Sequence, residues 1–304
     1  MQKTEKIWMN GKMVKWDDAK VHVLTHALHY GTGFFEGIRC YNTVNGPAIF
    51  RLEEHVKRFF RTAKIYDMKI PFTQAQLMNE IKGVVKANGL KECYIRPVGY
   101  YGYGEMGLDV SNNLVEVAIA AWPWGALLGD EALKKGVRCK ISSWARIDSR
   151  SMPALAKSAA NYANAVLAKM EVTKLGFDEA ILLNIYGQLT EGPGENVFIV
   201  SDGTIATPPL SAGILEGITR DSVMTIAKDQ KMPLAEKNVM REELYTCDEA
   251  FFAGTAVEIT PIREIDGRVI GSGTRGPVTE KLQRLFFDVV KGKNTKYRAW
   301  LDPV

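Results

Sequence analysis

The amino-acid sequence predicts a two-domain chain of mixed α/β (α+β) class. A smaller N-terminal α+β domain is expected over residues 1–121, a connection over 122–134, and a larger C-terminal α/β domain over 135–304. Three observations predict it. In the first half, runs of strand length alternate with two amphipathic helix patterns. In the second, strand patterns are followed by helix patterns near Thr219–Lys228 and Val278–Val290. Between the halves, Pro123-Trp124-Gly125 through Gly129 carries turn residues and no clear period. The 304 residues, 46% hydrophobic and 24% charged, supply apolar material for two modest cores.

In chain order, Ile7–Met9 and Met13–Trp16 flank Asn10-Gly11, a pair that supplies the positive φ angles of a tight hairpin turn. Phe34–Tyr41 and Ala48–Arg51 read as strands. Over Glu53–Tyr66, Val56, Phe59, Phe60 and Ala63 make a helical stripe with Arg58 beside it. A second helix over Gln74–Ala87 carries Leu77, Ile81, Val84 and Val85 and stops at Asn88-Gly89. Strands follow at Cys93–Tyr101 and Leu114–Trp122, the latter apolar enough to be buried on both faces. Beyond the connection, a strand near Val137–Ser143 and a loop holding Arg146–Pro153 lead to Lys157 and a helix through Tyr162, Val166 and Met170. Strands are then expected at Glu179–Asn184, Gln188–Val200 and Ala250–Ala253.

The formal charge of +4 is small against 39 basic and 35 acidic residues, which are interspersed. Nucleic-acid and membrane-surface binding therefore have little support. The opening residues lack the apolar run of a signal peptide and no stretch reaches the length of a spanning helix, so a cytoplasmic protein is expected. Cys40, Cys93, Cys139 and Cys247 lie far apart and read as reduced thiols, mostly in the core.

Chemistry concentrates in a few stretches. Lys157 stands in Ala154–Asn164 among mostly small neighbours, where an ammonium is costly to bury unless its amine is wanted. Gly217-Ile218-Thr219-Arg220-Asp221 opens a helix, offering free N–H groups and a hydroxyl to an anion; a plain threonine cap is the bland alternative. Gly254-Thr255-Ala256, at a strand end, offers the same chemistry. In Thr190–Phe198, either Glu191 or Glu195 could face a cationic ring nitrogen. These are the parts that would hold a phosphorylated aldehyde. Gly102–Gly107 matches G-x-G-x-x-G, but it leads to a strand rather than a helix, which argues against a dinucleotide. His22, His26 and His29 have helical spacing with only Glu36 near, so backbone hydrogen bonding is expected of them rather than a metal.

His29–Arg39, Tyr94-Ile95-Arg96-Pro97, Lys157–Tyr162, Glu191–Asn196, Leu215–Arg220 and Gly254–Glu258 together resemble the branched-chain amino acid aminotransferases. These are pyridoxal 5'-phosphate (PLP) enzymes of fold type IV, and the likeness runs from about Ile7 to Pro303. The resemblance implies a two-domain PLP fold with the cofactor in the interdomain cleft, and transfer of the amino group of leucine, isoleucine or valine to 2-oxoglutarate. It implies Lys157 as covalent anchor and proton carrier, with Glu191 rather than Glu195 at the pyridine nitrogen and Tyr162 at the ring 3-oxygen. Arg58, Ile218, Thr219 and Thr255 would hold the phosphate, with Leu215 and Gly217 beside them.

For substrate, the resemblance implies Tyr94 and the Thr255-Ala256 turn at the α-carboxylate, and Arg96 with Tyr30 at the distal carboxylate of glutamate. Phe35, Gly37 and Trp124 would form the apolar wall. Met106 and Leu108 would reach a neighbouring copy in a homo-oligomer, at least a dimer, with a hexamer as the larger option. D-amino-acid aminotransferases, (R)-amine transaminases and aminodeoxychorismate lyases share this fold, and a non-enzymatic metabolite-binding relative is the reading from another class. Tyr94-x-Arg96 together with Gly254-Thr255-Ala256 is the branched-chain pattern. One departure is Leu127, which stands where some bacterial members have tyrosine.

Overall fold

The computed structural model describes residues 2–125, 128–129 and 131–304; Leu127 lies outside the described residues. The chain forms two compact units, each with its own sheet. The first comprises Met1–Trp124, Ala156–Ala160 and Val289–Val304; the second comprises Gly125–Leu155 and Asn161–Asp288. A single cut over 122–134 misses two returns to the first unit. Ser158 forms a bridge with Phe34, and the C-terminal strand Leu301–Pro303 pairs with Ala48–Phe50.

The first unit begins with β1 (Lys6–Met9) and β2 (Lys12–Lys15), joined through Asn10 (φ 47°) and Gly11 (φ 90°), the left-handed turn that Asn-Gly predicts. Then come α1 (His26–Tyr30), β3 (Gly33–Phe35), β4 (Ile38–Thr43), β5 (Gly46–Phe50), α2 (Leu52–Ile65), α3 (Gln74–Ala87), β6 (Cys93–Tyr101) and β7 (Val115–Trp122). The sheet is antiparallel, ordered C-terminal strand, β5, β4, β6, β7, β1, β2, with β3 also on β6. The single strand expected over 34–41 is two strands. Their break faces Pro97, which accepts from Glu36 N (2.9 Å) but has no N–H to return.

α2 and α3 cover one face. Val56, Phe59 and Ala63 from α2, and Leu77, Ile81, Val84 and Val85 from α3, pack with Ile38, Ile49, Ile95, Val117 and Ile119. Only that face of β7 is closed: Val115, Val117, Ile119 and Ala121 are buried, while Glu116, Ala118, Ala120 and Trp122 are half-buried. The two-sided burial read from the sequence is therefore corrected; Ala118, Ala120 and Trp122 make the run look apolar although their face is only half-buried. α3 starts on a reciprocal cap, Thr73 with Gln76, that the sequence reading did not single out.

The second unit contains α4 (Ala132–Lys135), β8 (Val137–Ile141), α5 (Ala159–Lys174, from Asn161 onward), β9 (Glu179–Ile181), β10 (Asn196–Ser201) and β11 (Thr204–Thr207). It continues with α6 (Ile218–Asp229), β12 (Leu234–Glu236), α7 (Glu243–Thr246), β13 (Glu249–Gly254), β14 (Glu258–Ile265), β15 (Arg268–Val269) and most of α8 (Pro277–Val290). Its mixed sheet runs β12, β11, β10, β13, β14, β8, β9, with β15 on β14. The strand expected over 188–200 is half loop. Gly192-Pro193-Gly194 folds back, Gly192 N donating to Glu195 O (2.7 Å), and the ladder begins only at Asn196. Among the described residues no helix is long and apolar enough to cross a membrane, and all four cysteines are free and buried.

Candidate active site

In the first unit, Lys157 is drawn in beside β3. Its N–H donates to Thr62 Oγ1 on α2 (3.2 Å) and its carbonyl accepts from Phe35 N (3.1 Å). The side chain is buried, with its amine 5.1 Å from the Phe35 ring centre. Burial first, and the Arg58 charge second, pull the amine down from 10.5 to about 8. A neutral nucleophilic amine is thus within reach near neutral pH, which an exposed lysine does not offer.

Around it lie the other residues read from the first half. Arg96 and Tyr94 sit two apart on β6 and so on one face. Arg96 Nη2 donates to Tyr94 Oη (3.0 Å), and its guanidinium lies 4.5 Å from the Phe35 ring centre and 5.3 Å from that of Tyr94. Its buried Nε has no partner. Tyr94 packs edge-on against Trp124 (4.6 Å), whose carbonyl accepts from Arg39 Nη2 (2.9 Å). Gly37 makes room for this: a Cβ there would overlap the Tyr94 hydroxyl.

Arg58 belongs to a fully buried charge group. Its Nε donates to Glu36 Oε1 (2.6 Å) and its Nη2 to Oε2 (2.8 Å), while Oε2 also accepts from His55 Nδ1 (2.7 Å). Burial alone would raise the Glu36 carboxyl, but the Arg58 guanidinium and His55 outweigh it and hold it well below the usual carboxylate range. Burial pushes His55 the other way, below its ordinary value, against the pull of Glu36.

In the second unit, Glu191 is buried. Its Oε1 meets Arg146 Nη2 (2.7 Å), and its Oε2 accepts from Asn196 Nδ2 (3.0 Å) and Leu215 N (3.0 Å). All three contacts favour the carboxylate. Glu195 differs: burial, then the neighbouring Glu179 charge, push its carboxyl well above the usual range, and its Oε1 has no partner. Asn196 also donates to Leu215 O (3.1 Å), and a Cβ at Gly217 would collide with its amide oxygen. Gly217 thereby lets the chain turn into α6, whose first residues Ile218, Thr219 and Arg220 are buried and whose N-cap, being this glycine, brings no side-chain cap of its own. N–H groups at a helix start suit an anion. Thr255 and Ala256 are half-buried in the turn between β13 and β14, where Glu258 takes a positive φ of 55°.

Other predicted residues stand apart. Tyr30 is 42% exposed, its ring on His26 at 4.5 Å. Met106 and Leu108 are 43% and 87% exposed in the loop after β6. Tyr162 is half-buried in the first turn of α5. Gly102–Gly107 runs into loop and then β7. The three histidines bond to protein groups: His26 to Thr32 Oγ1 (2.8 Å) and, 81 residues on, to Gly107 O (2.7 Å), His29 to Val23 O (2.9 Å), His22 to Leu24 N (3.1 Å).

Sequence reasoning assigned no role to Glu36, His55, Arg146 and Asn196. Glu36 and Asn196 fall inside stretches that carry the family resemblance, and the i, i+3 spacing of His55 and Arg58 puts both on one face of α2, but none of these signals says what the residues do.

The residues present fit a phosphorylated ring with a basic nitrogen. Taken unit by unit, the first provides a buried amine and the buried Arg96 Nε without a partner, and the second provides a helix N-terminus whose N-cap is a glycine and a held carboxylate. Residues 33–265 match the family described as Amino-transferase class IV. The branched-chain-amino-acid aminotransferase of Pseudomonas aeruginosa is 48% identical, covering 97% of this chain and 95% of its own. The crystal structure of the Escherichia coli branched-chain amino acid aminotransferase superposes with a TM-score of 0.97 at 44% identity, over 99% of both chains. That of the Thermoproteus uzoniensis enzyme, solved with norvaline, has a TM-score of 0.95 at 46% identity, over 99% of both chains.

Proposed function

The chain belongs to the class IV aminotransferases, in their branched-chain-amino-acid group, and from that premise we propose how its residues divide the transfer of an amino group from L-leucine, L-isoleucine or L-valine to 2-oxoglutarate. The products are the branched 2-oxo acid and L-glutamate. The observation that carries the reading is Lys157, a buried amine drawn down to about 8 against the Phe35 ring and beside the Arg58 charge. PLP, when bound, supplies an electron sink next to the amine being transferred. Lys157 Nζ would anchor it, and the same amine would hold and move the proton at the substrate α-carbon.

Arg58, Ile218, Thr219 and Thr255 would hold the phosphate, with Leu215 and Gly217 shaping the turn, and Tyr162 would take the ring 3-oxygen. Glu191 is assigned to the ring nitrogen, because its hydrogen bonds favour the anion that pairs with a pyridinium. Glu195, pushed toward its neutral form, lacks that charge. Tyr94 and Thr255-Ala256 receive the α-carboxylate, and Arg96 and Tyr30 the distal carboxylate of glutamate. Phe35, Gly37 and Trp124 wall the apolar side. The names of the relatives do not favour a D-amino-acid, (R)-amine or binding-protein reading.

A homo-oligomer in the cytoplasm completes the proposal. Leu108 and Leu114 are 87% and 77% exposed, and α5 exposes Val166, Leu167 and Met170, apolar surface that a second copy would cover. Sedimentation as a single-chain species would remove that part. The activity itself is tested by the visible absorption of the purified protein, before and after L-leucine without an oxo acid. Loss of the lysine-bound band, with release of the branched 2-oxo acid, is the expected first half-reaction. A protein that stays colourless when supplied with PLP would overturn it.

A further inference from the structure

We propose that Glu36 is a positioning residue whose task is to set the Arg58 guanidinium for a phosphate, so that the anion site of the first unit is a Glu36–Arg58 pair rather than one arginine. The inference rests on the assignment of Arg58 to phosphate made above.

Glu36 stands between β3 and β4, where their pairing with β6 is interrupted opposite Pro97, and it is completely buried. Its carboxylate spends both oxygens on one guanidinium, taking Nε at 2.6 Å and Nη2 at 2.8 Å. A two-point contact fixes the plane of a guanidinium as well as its place, and turns the opposite edge away from the carboxylate. His55, one turn earlier on α2, donates to Oε2 at 2.7 Å and so fixes the carboxylate in turn. The chain of control runs from α2 to Glu36 and back to Arg58, without any solvent-exposed link. Held this way by Glu36, Arg58 meets an anion already oriented.

The charge of Glu36 acts in the opposite direction. A carboxylate this close dilutes the attraction of Arg58 for a dianion. The two effects differ in sign on removal of Glu36, which makes the proposal decidable: positioning predicts weaker phosphate binding, charge dilution predicts tighter.

The experiment uses the full chain freed of cofactor, with inorganic phosphate, PLP and pyridoxal as probes, on the wild type and on Arg58→Gln, Glu36→Gln and Glu36→Asp. Pyridoxal lacks the phosphate but can still react with Lys157, so it reports whether the rest of the site survives. Glu36→Gln should weaken phosphate and PLP by about tenfold or more, the scale of a lost charge-assisted contact, and leave pyridoxal within about twofold. Glu36→Asp, charged but too short for both contacts, should fall between.

Phosphate bound by Glu36→Gln as tightly as by wild type, or more tightly, while Arg58→Gln binds it weakly, would overturn the positioning role and leave the reading of Arg58 standing. Phosphate affinity unmoved by Arg58→Gln would instead remove the reading on which the inference rests. Should Glu36→Gln fail to fold, Glu36→Asp decides: wild-type phosphate affinity in it overturns the proposal.

Discussion

The two units bury the same kind of ion pair and use it in opposite senses. In the first, Glu36 has no exposed surface, and its three donors are Arg58, twice, and His55. The carboxylate stands behind the arginine. In the second, Glu191 is supported by Arg146, by the Asn196 amide and by the Leu215 N–H, so the arginine is one of several groups standing behind a carboxylate. Each pair offsets a desolvation cost that neither member could bear alone. The sign left over differs. Lys157, Arg58 and Arg96 outnumber Glu36 in the first unit, which suits a phosphate and two carboxylates. In the second, a fixed anion suits a cationic ring. What an ion pair does is decided by its neighbours rather than by its members.

The largest break in this comparison comes from taking away the reactive cation of the first unit. Lys157→Met should cut turnover by at least about a thousandfold, since no other lysine among the described residues is buried. The same change should stabilise the cofactor-free fold. Lys157 falls from 10.5 to about 8 on folding, so the native state binds fewer protons than the unfolded chain between those values. Wild-type stability therefore rises with pH through that window, and below it carries a constant penalty on the order of 3 kcal/mol. Denaturant titration of the apo-protein at pH 7 should show Lys157→Met more stable, by up to about that amount, with the gap closing toward pH 10.5. A destabilised Lys157→Met apo-protein at pH 7 would show that the amine is held by contacts that outweigh its desolvation.

Within the second unit, the two glutamates sharpen the comparison. Glu191→Gln should lower kcat by roughly two orders of magnitude by removing the fixed anion, and Glu195→Gln by less than about threefold. The stability effects should reverse that order. The Glu195 carboxyl is raised on folding, so the native state binds more protons and stability declines as pH rises above the ordinary carboxyl value. Glu195→Gln removes that decline, and its melting temperature should match or exceed wild type at pH 8. Equal losses of kcat in the two variants would undo the assignment of the ring nitrogen to Glu191.

How much of this was legible depended on range. The Asn10-Gly11 hairpin and the bounds of α3 follow from adjacent residues, and both were read correctly from the sequence. The turn into α6 at Gly217 was legible in the same way. Lys157 stood out because small neighbours are a local signal. Glu36 with Arg58, and Arg146 with Glu191, are 22 and 45 residues apart, and nothing in either local sequence says that the charges meet or are buried. β7 was misread for a related reason: alanine reads as apolar whether or not anything covers it. The break at Pro97 was readable in principle, since proline marks a missing donor, but only once β3 and β4 are known to pair with β6.

The finest test concerns Arg96, whose partners are the Tyr94 hydroxyl and two aromatic faces, with no salt bridge to a carboxylate among the described residues. A guanidinium against Phe35 and Tyr94 is shielded by rings rather than neutralised, so its charge stays available to a carboxylate. Leucine brings no such group, while glutamate does. Arg96→Ala should therefore weaken glutamate and 2-oxoglutarate by about ten- to a hundredfold in kcat/KM and leucine by only a few fold, the residue of lost packing on Phe35. Arg96→Lys keeps the charge but loses the fork, and should restore only part of the difference. An equal loss for leucine and glutamate in Arg96→Ala would mean that the arginine serves the aromatic wall rather than the distal carboxylate. The contrast between a paired Arg58 and a ring-shielded Arg96 would then be structural only.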